Sequence, residues 1–160
     1  KTVALNIDSS RGELMGLILI NSGKDALVIS KSELTVGQVH INGAGRIGVS
    51  LGQKSILHTS QEPDDGITIN DVQTGLTATD LSLGIIHKLK LSNILIGLAI
   101  YEKNPEYGPS TLLVSTAKND AKVPFYVDSE SLLILRGSEQ KGSTINISKP
   151  QLGLLPKAGS

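Results

Sequence analysis

Apolar and polar residues alternate at period two along most of this chain, in short bursts broken by Gly, Asn, Ser and Asp. Val3, Leu5 and Ile7 share one face of residues 1–8, and Thr2, Ala4, Asn6 and Asp8 share the other. Period two is strand geometry, because successive side chains of an extended chain point to opposite faces. The same reading gives strands at residues 14–20, 26–30, 35–41, 47–51, 67–69, 92–101, 111–116, 123–127, 131–135 and 143–148. Asn21-Ser22-Gly23-Lys24-Asp25, Pro63-Asp64-Asp65-Gly66, Asn119-Asp120 and Arg136-Gly137-Ser138 supply turns between them. Asn104 to Pro109 reads as a loop, since its two prolines stop any regular element. Residues 79–90 are the one place where apolar spacing also fits a helix, with Thr79 or Asp80 as its cap.

About ten short strands, with a turn every 8–12 residues, predict an all-β antiparallel sandwich or jelly roll. Parallel pairing is set aside at this stage, because βαβ units need helices that the short Gly-rich gaps cannot hold. No internal repeat of fixed period is evident. The expected core is Leu17, Leu19, Val28, Val39, Ile41, Val49, Ile69, Leu95, Ile100, Leu113, Val114, Val127, Leu133 and Ile145. The expected organisation is an N-terminal strand and linker at 1–12, a β-sandwich at 13–150 and a flexible segment at 151–160.

Composition narrows the chemistry. The 160 residues carry 15 basic and 15 acidic side chains, a balance that argues against a dedicated nucleic-acid binder. A hydrophobic fraction of 39% argues for a packed core rather than disorder. There is no Cys, which removes disulfides, thiolate zinc sites and cysteine nucleophiles. The apolar runs at 14–20 and 94–101 are far shorter than the roughly 20 residues of a membrane helix, so no membrane insertion is expected.

Several motifs carry candidate chemistry. Gly43, Gly45 and Gly48 form GxGxxG after the apolar Val39 and Ile41, with Asp71 some way beyond. This segment resembles the opening of the dinucleotide-binding fold of glyceraldehyde-3-phosphate dehydrogenases. The resemblance implies NAD cradled by the glycines, with Asp71 on the ribose, in an oxidoreductase. Against it, Ile47, Val49 and Leu51 alternate as a strand where that fold needs a helix, so no cofactor is the expectation. Gly48-Val49-Ser50-Leu51-Gly52 fits the GxSxG elbow of serine hydrolases and meets the same objection. Asp64, Asp65 and Asp71 are oxygen donors suited to calcium, though without EF-hand spacing. Tyr107, in the proline-rich loop, is the candidate ligand-stacking ring, as a calcium-dependent adhesin would use. Leu155-Pro156-Lys157-Ala158-Gly159 is similar to a degenerate LPxTG sorting signal.

No set of convergent titratable groups is visible, so the expected function is structural and non-enzymatic. The chain should self-associate through Val3, Leu5 and Ile7, its partners being copies of itself rather than nucleic acid. The segment 1–8 looks detachable behind Ser9-Ser10-Arg11-Gly12, as strand complementation requires. The expected setting is an extracellular or cell-surface filament such as a pilus, with a viral jelly-roll capsid or head domain as the other structural version.

Overall fold

The computed structural model describes residues 2–143. Every regular element in that range is a strand: β1 (Leu5–Asp8), β2 (Arg11–Ser22), β3 (Leu27–Ser30), β4 (Glu33–Ala44), β5 (Ile47–Gly52), β6 (Ile56–Thr59), β7 (Gly66–Thr79), β8 (Leu83–Tyr101), β9 (Thr111–Asn119), β10 (Val123–Val127), β11 (Leu132–Leu135), β12 (Ser138–Gln140) and β13 (Gly142–Ser143). The helix considered for 79–90 is absent. Asp80 and Leu81 form a left-handed turn there (φ 57° and 60°), and β8 starts at Leu83.

The strands are all-β as expected but not an antiparallel sandwich. Every pairing from β1 through β11 is parallel. Leu5 stacks on Leu27, Leu27 on Val49, Val49 on Leu76 and Leu76 on Leu98. Each step advances by one coil, so the chain winds as a parallel solenoid. The pairings also close on themselves: β4 pairs both β6 and β7, and both of these pair β8. These four strands form a closed parallel barrel that continues into the rest of the sheet. Short helix-free gaps do not exclude parallel pairing in a coiled chain. Parallel strands need a return path of a dozen or more residues, and here that path is itself built of strands around the rest of the coil.

Stacking fixes the interior. Leu19, Ile41, Ile69 and Leu91 lie over one another, as do Ile7, Ile29, Leu51, Ala78 and Ile100. Such ladders accept aliphatic side chains, which accounts for a core rich in Ile, Leu and Val. Of the expected core, Val39, Ile41, Val49, Ile69, Ile100, Val114, Val127 and Leu133 are buried, and Leu17, Leu19, Val28, Leu95 and Leu113 are half-buried. Ile145, strand 143–148 beyond Ser143, the segment 151–160 and the LPxTG-like stretch lie outside the described residues.

Two backbone devices hold the coils in register. One serine per coil turns a corner: the N–H of Ser10 donates to Ser32 Oγ, Ser32 to Ser55, Ser82 to Ser110 and Ser110 to Ser131. The Oγ of Ser32 donates in turn to Ser30 C=O, that of Ser55 to Gly52 C=O and that of Ser82 to Thr79 C=O. These hydroxyls satisfy backbone groups that a tight buried corner would otherwise orphan. The second device is a column of Gly48, Gly75 and Gly97. A Cβ on Gly48 would lie 2.6 Å from the Gly75 carbonyl oxygen, one on Gly75 2.5 Å from that of Gly97, and one on Gly97 2.5 Å from that of Pro124. Adjacent coils approach too closely there for any side chain.

The two ends of the solenoid differ. The last coil is covered, since β12 pairs β11 and β13 pairs β10, both antiparallel. Among the described residues, β1 pairs with β3 alone and β2 with β4 alone. The outer edges of both first-coil strands therefore have no strand partner among the described residues.

Candidate functional site

The first coil is where the sequence-predicted assembly residues fall. β1 is not a detached strand: Leu5, Asn6, Ile7 and Asp8 stack on Leu27, Val28, Ile29 and Ser30 of the next coil. Leu5 and Ile7 point into the interior and pack against the core, and Val3 is half-buried just before them. With no coil above, they remain half-buried rather than buried, as do Leu14, Leu17 and Leu19 of β2. The opposite face of β2 exposes Met15 (55%), Ile18 (70%) and Ile20 (62%). The sequence reading placed strands at both 1–8 and 14–20 but assigned an edge role only to Val3, Leu5 and Ile7, whereas β2 contributes 12 residues of first-coil edge against 4 from β1. The continuous apolar run at 14–20 was the available signal.

The nucleotide fingerprint is accounted for by coil geometry. Gly43 sits at a corner with φ 88°, directly against Asn21 of the coil above. Gly45 lies against the Gly23 carbonyl, and Gly48 opens the glycine column. The chain after Gly45 is β5, so no helix N-terminus faces these glycines. Ser50 of the GxSxG match lies within the same strand.

Asp64 and Asp65 lie in the loop between β6 and β7, where the Asp65 N–H donates to Glu62 C=O. Asp71 stands at another corner with φ 57°, accepting from the Asn93 side-chain amide. Among the described residues no three His, Asp or Glu side chains gather into a metal-holding group. Tyr107 lies half-buried in a loop that folds back to the corner, where the Leu81 N–H donates to Gly108 C=O. Lys54 Nζ stands 5.9 Å from its ring centroid, a cation–π contact.

Charge is concentrated in two places. Asp25, 3% exposed, accepts two hydrogen bonds from Arg46, both 2.8 Å, and a third from the Ile47 N–H. The hydrogen bond to Asp25 raises the Arg46 pKa further above its ordinary value. Tyr101 lies nearby, against Tyr126 with ring centroids 6.3 Å apart. Burial, followed by the charge of Asp80, pushes the Tyr101 hydroxyl well above its ordinary pKa.

The second concentration was missed in the sequence. A groove of about 1010 Å³ runs across the faces of β7, β8 and β9, between the loop bearing Asp64 and the hairpin bearing Ser138 and Gln140. Lys88, Lys90, Lys118 and Arg136 line it, with Asp64, Asp65 and His40 at its side. The alternation Lys88-Leu89-Lys90-Leu91 was its available signal, a strand face made of cations.

Comparison of the chain with known protein families, with curated proteins and with solved structures finds no match.

Proposed function

We propose that this protein is a structural module whose open first coil joins it to a second copy of itself. The observation that carries the reading is the asymmetry of the two ends. The last coil is covered by β12 and β13, whereas the first presents β1 and β2 edges, without a strand partner among the described residues, above half-buried leucines and isoleucines. Solenoids ordinarily close such an end with a polar cap, because exposed apolar rungs and unpaired N–H and C=O groups recruit another chain. A second copy offers the complementary surface. Across a twofold axis the two β2 edges meet antiparallel, which continues the hydrogen bonding and covers both sets of apolar residues. Leu5, Ile7, Leu14, Leu17 and Leu19 then complete their burial.

Light scattering over a wide concentration range tests this reading. Dimers or larger species are expected for the unmodified chain. Leu17→Lys places a charge facing the joint and should give a monomer with unchanged far-ultraviolet circular dichroism. Asn6→Ala, on the outer face of β1, should leave the assembly intact. A chain that stays monomeric at all concentrations refutes the proposal.

A further inference from the structure

The groove lined by Lys88, Lys90, Lys118 and Arg136 raises a question separate from assembly. Lys90 and Lys118 are register partners on adjacent strands, so their Cα atoms stand one rung apart, about 4.8 Å. Like charges directly opposite in a sheet destabilise it unless something neutralises them. Here Asp64 and Asp65 line the same groove but pair with neither lysine, and the four cations outnumber them. Neither side chain makes a hydrogen bond or ion pair among the described residues, whose ion pairs are Arg11–Glu33, Arg46–Asp25 and Lys141–Glu139. Lys88 Nζ donates to Pro63 C=O and Arg136 to Ala117 C=O, so both heads are fixed at the groove without losing their charge. Residues 144–160 hold two lysines and no Asp or Glu.

We propose that this groove binds an anionic polysaccharide, its acidic groups on the Lys90–Lys118 pair and Arg136 and its hydroxyls on Thr116 and Gln140. The concave shape and size suit a chain segment rather than a single ion. The polar lining supplies both donors and acceptors for sugar hydroxyls. A single-stranded nucleic acid fits less well, because such sites stack bases on several exposed aromatic rings, whereas Phe125 here is 8% exposed and His40 is the one exposed ring among the described lining residues.

Affinity measurements at low salt, with polygalacturonate and a heparin oligosaccharide as probes, test the proposal on the full chain. Binding is expected to at least one of the two, to weaken as salt is raised, and to be absent for neutral dextran. Lys90→Glu with Lys118→Glu should weaken it at least tenfold while circular dichroism stays unchanged. Lys24→Glu with Lys31→Glu, an equal charge change outside the groove, should leave it within twofold. No binding to either acidic probe, an undiminished affinity in the groove variant, or tighter binding of a single-stranded oligonucleotide would each overturn it. None of these outcomes depends on the oligomeric state.

Discussion

Replacing Gly75 by Ala tests the stacked-coil geometry most directly. The new Cβ would lie 2.5 Å from the Gly97 carbonyl oxygen and 3.1 Å from Leu91 Cδ2, where ordinary contact begins near 3.4 Å. Relief requires the two rungs to part by nearly an ångström at a point held on both sides by the pairs Thr74–Ile96 and Leu76–Leu98. The oxygen belongs to the backbone, and Gly97 is itself pressed against the Pro124 carbonyl, so the shift cannot be passed on cheaply. Overpacking of a core costs about 1–3 kcal/mol. A flanking rung hydrogen bond weakened by the displacement adds about 1 kcal/mol. The lower chain entropy of the unfolded Ala variant returns about 0.4–1 kcal/mol. The expected net loss is about 1–3.5 kcal/mol. Gly16→Ala is the matched control, with both substitutions read in the monomeric Leu17→Lys background: within one copy nothing lies within 4 Å of its Cβ, because among the described residues no coil stacks above β2. That variant should be neutral or slightly more stable. Urea denaturation measures both, read as a shift in midpoint at unchanged slope. Equal midpoints for the two variants would refute the close approach of coils and the register built on it.

Other consequences follow from the same packing. Ser55→Ala removes the acceptor of the Ser32 N–H and the donor to Gly52 C=O at a buried corner, and should cost about 1–3 kcal/mol in the same urea assay. Asp25→Ala strands the guanidinium of Arg46 and the Ile47 N–H, for an expected loss of about 3 kcal/mol by thermal or urea unfolding. Thr77 Oγ1 is buried with no hydrogen-bond partner among the described residues, so Thr77→Val should hold or raise the melting temperature. Tyr101 keeps its proton in the folded state to higher pH than in the unfolded chain, whose value lies near 10.0. Its contribution is therefore complete below that pH and is lost as pH rises through the folded value. Stability should fall at strongly alkaline pH, and Tyr101→Phe should flatten that fall.

Local alternation was enough to locate most strands, because period two depends only on which face of an extended segment is buried. Residues 26–30, 47–51, 111–116 and 123–127 match β3, β5, β9 and β10 closely. The absence of helix after Gly45 was legible for the same reason. Val3, Leu5 and Ile7 were legible as one apolar face. Period two is blind to the partner strand, however, and that is where the sandwich expectation failed. Parallel and antiparallel ladders bury the same alternating face. What separates them is the register between coils, which here links residues 21 to 28 apart. That spacing varies because corners absorb unequal loops, such as those before Gly66 and after Tyr101, so no fixed period emerges. The corner serines were a repeating signal, and they look like ordinary turn residues until stacking shows Ser10, Ser32 and Ser55 bonded in one run and Ser82, Ser110 and Ser131 in another. Composition likewise gave a neutral chain, whereas winding gathers Lys88, Lys90, Lys118 and Arg136 into one groove. The sequence by itself thus determined that the chain is made of strands and which faces they bury. Only the tertiary structure decided how those strands stack, because that depends on contacts a full coil away, which no local pattern encodes.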